Sequence, residues 1–277
     1  MSLDLTGAVA VVTGAASGIG RAVSLALADR GAHLALADRN ADGLQATAER
    51  ARTSGVTVST HVVDVSDAEA VAALPDAVLA EHGRATVLMN NAGVSLVGRF
   101  EEVSMEEFRW LMEINLFAVV GLTKAFLPTL LAQERAHIVN VSSLFGLIAP
   151  AEQVAYATSK FAVRGFSEAL RHELEDTSVG VTVVHPGGVA TRIASDARVA
   201  AGADADEAAR QMESFTARAL TMTPEKAAGL IVRAVETQKK RLLIGADARA
   251  GDAVQRALPA SYWRVARAQF ERITGGR

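Results

Sequence analysis

The sequence predicts an α/β protein built on a doubly wound, mainly parallel sheet of seven strands with helices on both faces. Three observations predict it. Short apolar, β-branched runs recur along the 277 residues, and each is followed by an amphipathic stretch long enough for a helix. The runs are mostly unbroken rather than alternating, as in strands covered by helices on both sides. The first run passes straight into a glycine-rich turn that opens a helix.

In order, strands are predicted at 8–12, 33–37, 57–62, 86–89, 137–141, 181–184 and 241–244. Helices are predicted at 19–30, 41–54, 68–82, 105–132, 153–176 and 224–238. Ser66, with Glu69 three residues on, reads as a capping box for the third helix. Thr223-Pro224-Glu225 places proline at the first position of the last helix. Residues 201–209, rich in alanine and acids, read as a mobile stretch. Residues 1–247 form one expected domain, within the roughly 250 residues that α/β folds reach as a unit, and 248–277 a basic extension.

Composition closes several routes. With no cysteine there is no disulfide framework, thiolate metal site or cysteine nucleophile, and six histidines without i,i+4 pairing argue against any metal. A net charge of −3 gives no footprint for nucleic acid. The first residues are acidic where a secretory peptide is basic, and uninterrupted apolar runs such as 116–123 are shorter than the roughly 18 residues of a membrane span. A cytoplasmic protein is expected.

Thr13-Gly14-Ala15-Ala16-Ser17-Gly18-Ile19-Gly20 sits where a strand meets a helix. Glycines there let the backbone approach a pyrophosphate, and free N–H groups at the helix start supply positive partial charge. Tight packing of helix on strand is the plain structural alternative. The next strand ends at Asp38, eighteen residues past Gly20, where a carboxylate accepts from both ribose hydroxyls and repels a 2′-phosphate. That favours NAD over NADP. Arg39 can stack on adenine or pair with a 2′-phosphate, while Ser17 offers no base to anchor one. Asp38 as a helix cap is compatible with ribose binding.

Tyr156 and Lys160 stand four apart in an expected helix, on one face. A phenol with a pKa of about 10 is a poor base at neutral pH. An ammonium at about 4 Å, with an effective dielectric near 20, offers up to about 4 kcal/mol, nearly three pKa units. Such a pair is suited to moving a proton between a substrate oxygen and solvent. Ser143, just past a strand end, is placed to hydrogen-bond and orient that oxygen. Asn115, a poor helix former between Ile114 and Leu116, points to a particular partner for its amide, with a helix-kinking core amide as the plain alternative.

Over nearly its whole length, this order of motifs resembles the short-chain dehydrogenase/reductase family. The motifs are the Thr13–Gly20 turn, Asp64-Val65, Asn90-Asn91-Ala92-Gly93, Asn115, Ser143, Tyr156 with Lys160, and Pro186-Gly187-Gly188-Val189-Ala190-Thr191. The resemblance implies a Rossmann-like fold, Ser143 orienting the substrate oxygen, and Asn115 holding a water that relays protons from Lys160. It also implies that Asp64 and Val65 contact adenine, that Asn91, Ala92 and Gly93 lie along the cofactor, and that the loop with Pro186, Gly187, Val189 and Thr191 fixes the nicotinamide. A homodimer or homotetramer built through the helices of Asn115 and Tyr156 is implied too.

In the family, 187–223 covers the substrate. Its apolar Ile193, Val199, Met212, Phe215 and Leu220 suit a neutral, apolar alcohol or carbonyl. Phe145, Val154 and Gly188, with Leu96 and Leu147, are candidates for the opposing wall. Residues 248–277 carry six arginines against two acids. Pro259-Ala260-Ser261 starts a helix with Trp263, Ala266, Phe270 and Ile273 on one side and Arg264, Arg267 and Arg272 elsewhere. It either lies on an anionic membrane or packs on its own or a neighbouring subunit, and the short stripe favours packing. The expected function is NAD-dependent hydride transfer to or from a secondary alcohol or ketone, with Tyr156 as general acid/base. A dinucleotide sensor without turnover and a membrane-peripheral reductase of lipid-like acyl or aldehyde substrates are the competing readings.

Overall fold

The computed structural model describes residues 2–274. Its elements run β1 (Val9–Thr13), α1 (Gly18–Ala28), β2 (His33–Asp38), α2 (Ala41–Arg52), β3 (Val58–Val62), α3 (Ala68–His82), β4 (Val87–Asn90), β5 (Leu96–Val97) and α4 (Met105–Met112). There follow a π-helical turn (Glu113–Phe117), α5 (Ala118–Leu131), β6 (Ala136–Val141), a short 3₁₀ turn (Leu144–Gly146), α6 (Val154–Glu173), β7 (Val179–Pro186) and β8 (Arg198–Val199). The chain closes with α7 (Ala205–Ala219), α8 (Pro224–Glu236), β9 (Arg241–Ile244), α9 (Ala246–Ala257) and α10 (Tyr262–Thr274).

Seven strands pair in the order β3-β2-β1-β4-β6-β7-β9, all parallel, so the expected sheet is present. The order reverses between β1 and β4, and it is there, beyond the carboxyl ends of the strands, that such sheets open a ligand crevice. Alternate side chains feed two cores. Ala10, Val12, Leu34, Leu36, Val87 and Met89 meet α1, α2 and α8 through Leu27, Leu44 and Ile231. Val11, Ala35, Leu88 and Ile138 meet α3, α5 and α6 through Leu74, Phe126 and Leu170.

Local signals mostly did what their chemistry demands. Thr223 caps α8, accepting from the Lys226 amide with Pro224 in the first turn. The cap of α3 is Asp67, not Ser66: Asp67 accepts from the amides of Glu69 and Ala70, while the Ser66 hydroxyl donates to Asp64. A carboxylate is the stronger acceptor for free helix amides. The single helix expected at 105–132 is two helices joined by the π turn, which buries Asn115 and leaves Phe117 54% exposed. By composition the Met105–Leu131 segment is long and apolar enough to cross a membrane, contrary to the reading from uninterrupted runs. Here it packs as a core helix, with Leu122, Phe126 and Leu130 fully buried against the sheet.

Two histidines are sealed inside this sheet. Thr182 donates its hydroxyl proton to the Lys239 carbonyl, so it accepts from His137 Nε2–H at 2.7 Å, leaving Nδ1 bare and unpartnered among the described residues. The Ser143 carbonyl accepts from His185 Nδ1–H at 3.0 Å, leaving Nε2 in the same state. Burial pushes both imidazoles down to about 4. The unfolded chain, titrating near 6.5, therefore takes up protons first as pH falls. The stability these neutral rings contribute is complete above pH 6.5 and is lost between 6.5 and 4, by about 3 kcal/mol per ring at most. Urea unfolding across that window is expected to show a falling midpoint, with about two protons taken up on unfolding from this pair. A flat profile would contradict the neutral assignment.

Candidate active site

The glycine-rich turn is fastened to β4. Thr13 Oγ1 donates to the Met89 carbonyl and accepts from the amides of Asn91 and Ala92, both at 3.1 Å. Asn91 Nδ2 donates to the carbonyls of Thr13 (2.9 Å) and Gly14 (3.3 Å). A Cβ on Gly20 would lie 2.1 Å from the Gly14 carbonyl oxygen, and Gly14 itself has φ +67°, so neither position accepts a side chain. Ser17 precedes α1 without using its side chain as a cap. The amides of Gly18, Ile19 and Gly20 thus open the helix beside Thr191, whose methyl would lie 3.1 Å from a Cβ on Gly18. A cavity of about 540 Å³ adjoins this turn, lined by Ser17, Gly18, Arg21, Asn40, Thr191 and Arg192.

Asp38 ends β2 and accepts from the amides of Ala16 (3.0 Å) and Asn40 (2.9 Å), one on each carboxylate oxygen. The cap of α2 is Asn40, which accepts from the Gly43 amide. Asp38 therefore ties the second strand to the glycine turn, and each of its oxygens keeps a lone pair for a ribose hydroxyl. Arg39 is exposed, and its charge helps hold Asp64 below the ordinary carboxylate range, after the larger effect of the Ser66 hydrogen bonds. Val65 is half-buried against the α3 side of the core. This donor set, amides at a helix start with a carboxylate at the neighbouring strand end, fits a dinucleotide.

One turn apart on α6, Tyr156 and Lys160 are both buried, with Nζ 5.6 Å from the phenol ring centre and donating to the Val141 carbonyl at 3.2 Å. Ser143 stands at the end of β6, its Oγ accepting from the Phe145 amide. Asn115 is held by the loop after β4: its Oδ1 accepts from the Val94 amide (2.8 Å) and its Nδ2 donates to the Val94 carbonyl and to Ser159 Oγ. A Cβ on Gly93 would lie 3.2 Å from Asn115 Oδ1 and 3.4 Å from Lys160 Nζ, so this loop crosses directly over both. Asn115, Ser143, Tyr156 and Lys160 are thus brought together. The charge balance departs from expectation. Burial pushes the phenol up to about 12, against the opposing effect of the Ser143 hydroxyl, and pushes Lys160 down to about 8. Both groups are removed from water, and desolvation disfavours phenolate and ammonium alike.

The loop after β7 is clasped at its base. Gly188 donates its amide to Asp247 at 2.7 Å, and its carbonyl accepts from Thr221 and Met222; a Cβ there would lie 1.7 Å from the Ala219 oxygen. Pro186 is buried, Gly187 donates its amide to the Ile244 carbonyl, and Val189 bridges to Met222. Gly188 is thus a backbone clasp. Asp247 was not singled out from the sequence, although an acid three residues after the last strand, in the first turn of a helix, was a visible signal.

Across the crevice, β8 pairs with β5, and buried Glu107 accepts from the Ala201 amide and both Ser104 donors. Arg198 lies 3.8 Å over the Trp110 ring. The stretch read as mobile is instead ordered into the start of α7, capped by Asp204. Phe145 meets the Tyr156 ring edge to face at 6.1 Å. Val154 is 40% exposed, whereas Leu96 and Leu147, each 1% exposed, support the site from beneath. The apolar stripe of α10 is half-buried: Phe270 packs on Phe145 at 6.3 Å and on Trp263 at 5.8 Å. That stripe is turned to the protein, leaving Arg264, Arg267 and Arg272 outside.

A family model described as short chain dehydrogenase matches residues 8–201. Mycobacterium tuberculosis SadH, named as an oxidoreductase, is 44% identical over 261 residues, 94% of each chain. A short-chain dehydrogenase/reductase from Burkholderia phymatum, solved with NAD, superposes with a TM-score of 0.84 at 32% identity, over 92% of this chain and 95% of that one. A metagenomic short-chain oxidoreductase solved with NADP gives 0.71 at 32%, over 87% and 98%.

Replacing Asn91→Ala removes the two side-chain bonds from Nδ2 to the glycine turn and leaves those of Thr13, at a net stabilisation of about 1 kcal/mol per bond. Chemical denaturation is expected to show about 2 kcal/mol lower stability; an unchanged midpoint would mean that the turn holds itself.

Proposed function

The chain belongs to the short-chain dehydrogenase family, and we propose that it transfers hydride between NAD(H) and a secondary alcohol or ketone on an apolar small molecule, with Tyr156 as general acid/base. The observation that carries this reading is the convergence of Ser143, Tyr156 and Lys160, with Gly93 lying over Lys160 and Asn115, beside a glycine turn with open helix amides. Bound NAD would supply the hydride acceptor and a positive ring charge.

The chain's own residues divide the remaining work. Gly14, Ser17, Gly18, Ile19 and Gly20 receive the pyrophosphate, Asp38 the adenosine ribose, Asp64 and Val65 the adenine edge, and Asn91, Ala92 and Gly93 the path between. Val189 and Thr191 hold the carboxamide. Ser143 donates to the substrate oxygen, Tyr156 takes or returns the proton at its phenol oxygen, and Lys160 offsets the charge left there. A phenol raised to about 12 by burial is a proton donor at neutral pH, so it acts as base only once positive charge is added nearby.

NAD is preferred because Asp38 would face a 2′-phosphate with like charge, and the NAD complex of the Burkholderia relative supports the choice; the NADP complex of the metagenomic relative keeps the alternative in view. A cytoplasmic homodimer or homotetramer belongs to the same reading. Phe117, Leu131 and Phe161, exposed on the π turn, α5 and α6, support self-association there.

Titration with NADH and NADPH separately, followed by an alcohol and ketone screen with the preferred one, tests the proposal. NADH is expected to bind more tightly; tighter NADPH binding would overturn the role given to Asp38. Tyr156→Phe is expected to keep cofactor binding and lose at least a hundredfold in kcat. Unchanged turnover would reject Tyr156 as the proton carrier.

A further inference from the structure

The family model ends at residue 201, yet the crevice is completed by chain beyond it. Three polar contacts fix where α10 lies. Its Ile273 carbonyl accepts from Ser214 Oγ of α7 at 2.9 Å, its Arg272 carbonyl accepts from Arg218 of α7, and its Tyr262 hydroxyl accepts from the Ala149 amide in the loop leading to α6. The helix is therefore held in register over the catalytic loop by bonds at both of its ends.

What it presents there is aromatic. From Tyr156 the rings run to Phe145 (6.1 Å), to Phe270 (6.3 Å) and to Trp263 (5.8 Å), each pair tilted or edge to face. Phe145 also belongs to the apolar cluster around Tyr156, with Leu96, Leu111 and Ile193. No residue of α10 is fully buried, so Phe270, in contact with Phe145, and Trp263 keep part of their ring surface open. Half-covered aromatic rings in register above reacting groups are what an apolar ligand needs for contact without displacing the core.

We propose that α10 is part of the substrate site, with Phe270 and, behind it, Trp263 forming the wall that receives the non-reacting end of the substrate. The substrate class is then a neutral secondary alcohol or ketone with an extended alkyl or aryl group reaching two ring contacts from the catalytic phenol. This rests on the oxidoreductase reading for the reaction but not for the pocket. Short alcohols reach Ser143 and Tyr156 without touching Phe270, so the helix selects for length rather than reactivity.

A series of methyl ketones from butan-2-one to dodecan-2-one, reduced with NADH by wild type and Phe270→Ala, tests it. In wild type kcat/KM is expected to rise by up to about fourfold per buried methylene before levelling. Phe270→Ala is expected to lose at least tenfold on decan-2-one, mainly in KM, to stay within twofold on butan-2-one, and to bind NADH as before. Equal losses on short and long ketones, or none, would overturn the proposal.

A second readout is independent of turnover. The chain has two tryptophans, so in Trp110→Phe the emission reports Trp263 alone. Decan-2-one is expected to shift that emission to the blue and butan-2-one to leave it unchanged; no shift with decan-2-one would overturn the wall. A shift in a protein that reduces no ketone would uphold the wall and sink the redox reading instead.

Discussion

The constraint on which the site depends is the burial of a phenol and an ammonium on successive turns of α6. Neither group belongs in a dry interior, and the shifts to about 12 for Tyr156 and about 8 for Lys160 express that cost. The fold offsets it with placement. Lys160 is held to the Val141 carbonyl, its own carbonyl accepts from Ser142, and Asn115 braces α6 through Ser159 while gripping the loop at Val94. Two groups uneasy in their charged forms are thereby kept within reach of one crevice, responsive to whatever charge arrives there.

Much of this was legible in the sequence because it is local. The unbroken apolar runs gave the strands, the Thr223-Pro224 pair gave the start of α8, and the four-residue spacing of Tyr156 and Lys160 put them on one face. Asn115 was suspect as a helix residue, and the reason is the π turn that surrounds it. What was not legible depends on distance or solvent. The pairing of Leu96 with Arg198 joins residues 102 positions apart, and the grip of Asp247 on Gly188 spans fifty-nine. The direction of the Tyr156 shift required knowing how completely water is excluded, which spacing does not encode. Residues 201–209 looked mobile because alanine and acid suit both a solvated loop and a capped helix start; Asp204 decides it.

The molecule divides into two functional layers. Residues matched by the family model build six of the seven strands, the glycine turn and the proton-transfer group. The remainder adds β9 and seats α8 on the sheet through core side chains such as Ile231, while α7, α9 and α10 enclose the crevice through contacts with backbone: Asp247 to Gly188, Tyr262 to Ala149, Ser214 and Arg218 to the last turns of α10. Backbone contacts fix position while leaving side chains on the inner surface free to differ, so the enclosure can be retuned without moving the chemistry.

The π turn separates two demands on one long helix. Its extra residue sets α4 and α5 out of phase by about a quarter of a revolution or slightly more. The amide of Asn115 can then look towards the loop after β4 while the stripe of Leu122, Phe126 and Leu130 still seats on the sheet. A regular helix would have to compromise between those bearings. Loss of one residue from Glu113–Phe117 would swing the downstream stripe off its seat, so the irregularity works as a gear offset that locks the reactive end and the structural end to each other.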